Sequence, residues 1–351
     1  MLPNPMTRSN FLKHATLAAL AAGQRTLAQT KPRRVIIDTD PGTDDALAIF
    51  LALRSPELKV EALTPVAGNV PLELTLPNAL RLLEIAGRPD IPVAAGADRP
   101  LTRKLITASY AHGENGLGGV EFPAPKIKPI GGTAAQLIRR LVRQSPGEIH
   151  LIAIGPLTNL ALAFHQDPEL PKLIPSLTIM GGSVSGGNVT PSAEFNIYVD
   201  PEAAQAVFQA GIPLTMVGLD VTRKAVLREE HIQALEAAPN PISQAAGRIT
   251  RAIRYRSRGT GGQAMHDSLA LASFLDPSLV ILQDMYVEVE TSGDFTAGET
   301  LGYRRAPIRR SPPKAGEPAA AEESVFHPNA KVALDLDADR FLKLLVGRLT
   351  G

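Results

Sequence analysis

Residues Arg33-Arg34-Val35-Ile36-Ile37-Asp38-Thr39-Asp40-Pro41-Gly42-Thr43-Asp44-Asp45-Ala46-Leu47-Ala48 decide how this chain is read. Residues 35–37 are a short apolar run of the kind that forms a buried strand. Pro41-Gly42 turns the chain, and residues 46–53 continue as an apolar helix. Asp40 then lies at the carboxyl end of a strand, with Asp44 and Asp45 in the first turn of the next helix. In open α/β sheets that edge is where ligands bind. Asp38, Asp40, Asp44 and Asp45 put four carboxylates within eight residues. Acidic residues at a helix N-terminus contribute about 0.3–1 kcal/mol each, which accounts for Asp44 or Asp45 but poorly for Asp40 ahead of the turn. A hard divalent cation takes several carboxylate oxygens plus a few neutral ones, and it accounts for the whole cluster.

Working outward, 351 residues suffice for one large α/β core or two smaller ones. The formal net charge of +1 gives no argument for nucleic acid or for an anionic membrane. The absence of cysteine removes disulfides, a thiolate nucleophile and a thiolate zinc site, so oxygen ligands become the default for any metal. Trp is absent and aromatic residues are only 4%, which makes each aromatic residue near the site a candidate for stacking on a substrate.

Residues 7–13, Thr-Arg-Ser-Asn-Phe-Leu-Lys, are basic and precede an apolar run at 15–23. That is the layout of a secretory signal, and the run is too short to span a bilayer. It resembles a twin-arginine signal with Ser9 where the second Arg belongs. Export to a bacterial periplasm is expected, with cleavage around residues 22–28 and no stable membrane insertion afterwards. The alternative is an N-terminal extension on a cytosolic protein. Residues 1–30 are therefore set apart, and 31–351 are read as one domain.

Strands are expected at 60–66, 91–95, 148–153, 177–182, 213–218, 285–290 and 331–336. Between them lie helices at 76–86, 133–144, from Pro201, across 228–258, at 268–275 and at 338–349. This alternation predicts a mainly parallel open α/β sheet with helices on both faces. Several strand ends carry polar groups: Asn69 after Ala67-Gly68, Ile154 before Gly155-Pro156, and Asn188, Glu194 and Asn196 after Met180-Gly181-Gly182. Asn69 alone reads as a turn residue. The glycine-rich stretch 109–122 reads as a flexible loop carrying His112, and a lone loop His is ordinarily without a role. His266-Asp267 opens a helix after a glycine-rich loop, where Asp267 could simply cap. Residues 304–323, rich in Pro, Ala, Arg and Glu, read as an exposed insertion.

Several motifs stand in order from Arg33 to about Leu345. They are Asp38-x-Asp40-Pro41-Gly42-x-Asp44-Asp45, Thr64-Pro65-Val66-Ala67-Gly68-Asn69, Gly155-Pro156-Leu157-Thr158-Asn159, Met180-Gly181-Gly182, Glu194-Phe195-Asn196-Ile197-Tyr198-Val199-Asp200-Pro201, Met216-Val217-Gly218-Leu219-Asp220-Val221-Thr222 and His266-Asp267. Together they resemble the inosine-uridine-preferring nucleoside hydrolases, which cut the N-glycosidic bond of ribonucleosides with bound calcium. The resemblance implies Ca2+ held by Asp40, Asp45, Asp267 and the carbonyl oxygen of Ile154, where the family often has Thr. It implies a ribose gripped by Asp44, Asn69, Met180, Asn188, Glu194 and Asn196, with Phe195 lining the sugar and base pocket.

In the chemistry so implied, Asp40 accepts the proton of the attacking water and His266 serves the leaving base. His112 closes over the base, and Tyr255 contributes stacking or a proton relay. His266 together with His112 is similar to the pyrimidine-preferring or broadly acting members. The partner is a small nucleoside, the assembly a homodimer or homotetramer, and the setting purine or pyrimidine salvage. Three other readings stay open: an exported nucleoside- or sugar-binding protein without turnover, a hydrolase of a different N-riboside, and a phosphotransferase with Asp38 as nucleophile.

Overall fold

The computed structural model describes residues 31–256, 262–305 and 327–351. Residues 1–30, which carry the export expectation, and 306–323 of the expected insertion lie outside the described residues, as does the side chain of Tyr255. The described residues from Arg33 to Gly351 form one compact unit.

In chain order the elements begin with β1 (Arg33–Thr39), α1 (Thr43–Leu53), β2 (Leu58–Pro65), α2 (Leu72–Ile85), α3 (Ser109–His112), α4 (Ala134–Gln144), β3 (Ile149–Ala153) and α5 (Thr158–Gln166). They continue with β4 (Leu177–Met180), α6 (Phe195–Val199), α7 (Pro201–Phe208), β5 (Leu214–Val217), α8 (Leu219–Thr222) and β6 (Val226–Leu227). The last are α9 (Glu229–Ala237), α10 (Pro241–Arg256), β7 (Gln263–Ala264), α11 (His266–Leu275), β8 (Val280–Val289), β9 (Thr300–Tyr303), β10 (Ala330–Leu336) and α12 (Ala338–Thr350).

The main sheet has eight strands in the order β2-β1-β3-β4-β5-β10-β8-β9. Strands β2 through β5 and β10 run parallel, while β8 pairs antiparallel with both β10 and β9. The parallel α/β reading therefore holds, with an antiparallel edge. From β1 the chain goes to β2 on one side and then to β3 on the other. The carboxyl end of β1 is thus a topological switch point, where loops diverge and leave a crevice.

Apolar side chains alternate across the sheet into two cores. Val35 and Ile37 face a core shared with α1, α2 and α9 to α12, while Ile36 faces one shared with α4, α5 and α7. Helix α1 is apolar on all sides, and such a helix must be covered all round. Helices α10 and α11 pack on it, and Thr43 to Ala52 are all buried.

Several details differ from the sequence reading. The strand expected at 91–95 makes only isolated bridges, Leu63 to Val93 and Ala95 to Thr133, because Pro92 removes a ladder donor. The polar helical region expected across 228–258 is two helices, broken between Ala237 and Pro241. The expected loop at 109–122 contains the helical turn α3, tied down by Ala108 N–H donating to the Asn69 carbonyl at 3.0 Å. Asn115 then organises the turn that follows, accepting from Leu117 N–H and Gly119 N–H and donating to the Val120 carbonyl.

Phe50 is fully buried in the centre of α1. Phe50→Ala is expected to destabilise the protein by about 3–5 kcal/mol, read as a lowered denaturant midpoint at unchanged slope.

Candidate active site

The carboxyl ends of β1 to β4 converge on one cavity. It is lined by Asp44 from the start of α1, Asn69 after β2, and Tyr110 and His112 from α3. Ile154 after β3, Met180 at the end of β4, Asn188, Glu194, Phe195 and Asn196 from the following loop and α6, and His266 and Asp267 from α11 complete it. Every expected site residue with a described side chain lies in this wall or directly behind it. Asp40 and Asp45 are the two behind it, both fully buried.

Asp45 sits in the first turn of α1 and folds its carboxylate back over the Pro-Gly turn. Its Oδ2 accepts from Gly42 N–H at 2.9 Å and from Asn69 Nδ2 at 3.0 Å, and its Oδ1 accepts from Thr39 Oγ1 at 2.6 Å. Asp40 Oδ2 accepts from Asn69 N–H at 2.7 Å, whereas Oδ1 is buried with no hydrogen-bond partner. Gly68 and Gly155 make room for this carboxylate. A Cβ on Gly68 would fall 2.1 Å from Asp40 Oδ2, and one on Gly155 2.6 Å from Oδ1. The Ile154 carbonyl accepts from Asn196 Nδ2 at 3.2 Å, and so does the Met180 carbonyl at 3.1 Å.

Asp44, Asp45 and Asp267 each offer an oxygen within 4.8 Å of the others, a group able to hold a metal ion. The expected ligand set has Asp40 where this trio has Asp44. Burial and the neighbouring carboxylates push the carboxyls of Asp40, Asp45 and Asp267 upward from their ordinary range, burial being the largest cause in each. A pit of this kind, with one acceptor oxygen left bare, fits a hard cation, which would satisfy Asp40 Oδ1 and neutralise the charge. Asp267 does not cap α11; Met265 stands at the cap, and the Asp267 carboxyl is turned to Asp45.

The two histidines are each held by a threonine. Thr43 N–H donates to His112 Nδ1 at 3.2 Å, so Nδ1 carries no proton and the ring hydrogen sits on Nε2. His266 Nδ1 lies 2.7 Å from Thr222 Oγ1. Burial lowers the His266 pKa, with Asp44 opposing. Glu194 caps α6, its Oε2 accepting from Gly182 N–H at 3.0 Å and Ile197 N–H at 3.2 Å. Burial pushes this carboxyl up to about 7. Asn188 Oδ1 accepts from Phe195 N–H at 3.0 Å and closes the loop onto α6.

Asp38 is elsewhere. Its Oδ1 accepts from Thr64 Oγ1 at 2.6 Å and Asn159 Nδ2 at 2.8 Å, and burial pushes it up to about 7. It does not line the cavity, so a phosphotransferase nucleophile has no access there. Sequence reasoning did not single out Tyr110, an aromatic ring 70% exposed at the cavity mouth, or the orienting Thr43 and Thr222. The scarcity of aromatic residues was the available signal for Tyr110. The threonines stand within quoted motifs, but their histidine partners are 44 and 69 residues away and were not legible.

Comparison with known proteins gives one answer. The family model described as inosine-uridine preferring nucleoside hydrolase matches residues 35–343. The pyrimidine-specific ribonucleoside hydrolase RihA of Salmonella gallinarum is 43% identical over 320 residues, covering 90% of this chain and 97% of that one. RihA of Citrobacter koseri is similar to the same extent. Among solved structures, the plant nucleoside hydrolase PpNRh1 superposes with a TM-score of 0.84 at 36% identity, covering 92% of this chain and all of that one. The purine-preferring ribonucleoside hydrolase of Gardnerella vaginalis gives 0.79 at 30% identity, covering 91% and 98%.

Two outcomes are expected from this geometry. Gly68→Ala displaces the Asp40 carboxylate and should cost at least about 100-fold in turnover while the circular dichroism stays native. Glu194 has a folded pKa of about 7, above its ordinary value of 4.5. Its burial as an acid therefore favours the fold below about pH 4.5, and that contribution is lost as pH rises to about 7. Relative to Glu194→Gln, the wild-type melting temperature should fall between pH 5 and pH 8 in metal-free protein; parallel melting curves would contradict this.

Proposed function

Because the chain belongs to the inosine-uridine preferring nucleoside hydrolase family and is a ribonucleoside hydrolase, we propose that it uses calcium and is pyrimidine-preferring or broad in its choice of base. The observation that carries the metal is the bare Asp40 Oδ1 among buried, mutually repelling carboxyls. Asp40, Asp45, Asp267 and the Ile154 carbonyl would hold it, an all-oxygen set suited to calcium. Asp44, which faces the cavity with its oxygen 3.8 Å from His112, stays on the substrate side. Support for the base preference comes from the 43% identity to RihA proteins named pyrimidine-specific and from the two histidines on the cavity wall.

The ribose is gripped by Asp44, Asn69, Met180, Asn188, Glu194 and Asn196, which surround the cavity floor with oxygen and amide groups. Phe195 lines it, and a stacking or proton-relay role for Tyr255 belongs to the same proposal. Calcium, when bound, supplies Lewis acidity toward the attacking water and the ribose diol. The C1′–N bond breaks with its electron pair going to the base, leaving an oxocarbenium-like ribosyl group that the surrounding carboxylates stabilise. Water oxygen bonds to C1′ and its proton passes to Asp40. His266 gives its ring proton to the departing base and regains one from solvent, while His112 covers the base. Ribose and neutral base result, as salvage of either requires.

Export of the mature protein and assembly into a dimer or tetramer belong to the same proposal. The layout of residues 7–23 supports the first, and cell fractionation and sedimentation check the two. No helix among the described residues is long and apolar enough to cross a membrane.

Incubation with uridine, cytidine, inosine and adenosine is expected to release free base, most from the pyrimidines or from all four, and chelation should abolish it. No release with calcium bound would favour a binding protein instead. Asp40→Asn should abolish turnover and keep nucleoside binding. His266→Ala should slow uridine far more than p-nitrophenyl riboside, whose leaving group needs no proton.

A further inference from the structure

Helix α8 is a single turn between β5 and the rest of the chain, yet it reaches two parts of the cavity wall. On one side Thr222, fully buried, presents its hydroxyl 2.7 Å from His266 Nδ1. With Nδ1 engaged, Nε2 is the ring nitrogen left to meet a ligand. On the other side the Asp220 carboxylate gathers the start of the loop that carries Asn188 and Glu194. It accepts from Ser183 Oγ at 3.2 Å, Val184 N–H at 3.0 Å and Ser185 Oγ at 2.5 Å. Arg223, next in the chain, donates to the Gly187 carbonyl of the same loop. The turn itself is fixed, since Leu219 N–H donates to the Gly182 carbonyl at 2.9 Å. Gly218 has to be glycine here, because a Cβ would fall 2.4 Å from that carbonyl oxygen.

We propose that α8 is a positioning element with two arms, Thr222 orienting His266 toward the leaving base and Asp220 holding the ribose-gripping loop in register. The Thr222 arm rests on the leaving-group role given to His266 above. Neither residue touches the reacting atoms. The aligned ring is what a hydroxyl at Nδ1 supplies: without it, a contact that fixes the imidazole is lost, and a misplacement of about 1 Å costs on the order of 100-fold.

The two arms predict different kinetic signatures. Thr222→Val removes only the hydroxyl, and kcat on uridine should fall roughly 10- to 100-fold, within the range of acid–base effects, while p-nitrophenyl riboside is hydrolysed nearly as before. Thr222→Ser should restore the uridine rate. Asp220→Ala should raise KM for both substrates alike, since both carry ribose, and Asp220→Asn should recover part of it because the serine hydroxyls can turn to meet an amide. His266→Ala is measured alongside. If it spares p-nitrophenyl riboside but Thr222→Val harms both substrates equally or neither, the Thr222 arm is overturned and the role of His266 stands. If His266→Ala itself harms both equally, that role fails and takes the Thr222 arm with it. An unchanged KM in Asp220→Ala overturns the second arm. Should Thr222→Val not fold, Thr222→Ala carries the same comparison.

Discussion

Negative charge buried without a counter-charge is the constraint around which this molecule is built. Asp40, Asp45 and Asp267 are all but inaccessible to water, and burial together with mutual repulsion pushes their carboxyls upward. Backbone and amide donors hold some of the oxygens. Asn69 alone donates to the Asp40 carboxylate and carbonyl and to Asp45. Yet Asp40 Oδ1 is left bare. Leaving it so is costly, and at Asp40, where Asp45 and Asp267 also converge, an oxygen-liganded cation would offset that cost.

The rest of the structure serves to keep that pit dry and correctly shaped. Helix α1 must be apolar all round because it is enclosed, and α11 lies against it so that Asp267 meets Asp45. Gly68 and Gly155 lack side chains because the Asp40 carboxylate occupies the space where a Cβ would be. The switch point between β2 and β3 opens the crevice, and the loop after β4 and the start of α11 complete its wall. The histidines, Tyr110 and Phe195 line the same cavity.

Much of this was legible in the chain. The strand, turn and apolar helix at 33–53 are local, and their hydrophobic period reads directly. The motifs after each strand marked where polar side chains gather, and the structure brings Asn69, Ile154, Met180, Glu194 and Asn196 to one wall as expected. Less legible were the breaks and short turns. Pro92 left residues 91–95 as bridges, and the helical turns α3 and α8 were too short to show a period.

By itself, then, the sequence determined the class of fold and the set of chemically able residues, because strand and helix periods are properties of neighbours along the chain, and its motifs carried the resemblance to the family. Only the tertiary structure decided which carboxylates share a site and which do not. Asp38 and Asp40 are two residues apart, yet Asp38 is spent on Thr64 and Asn159 while Asp40 joins the pit. Asp44 and Asp45 are adjacent, yet Asp44 faces the cavity while Asp45 is sealed behind it. Asp267 and Thr222 enter from far along the chain, and no local pattern encodes their partners. Those pairings arise from packing α11 on α1 and seating α8 beside His266, where burial sets how far each group can hold charge or proton.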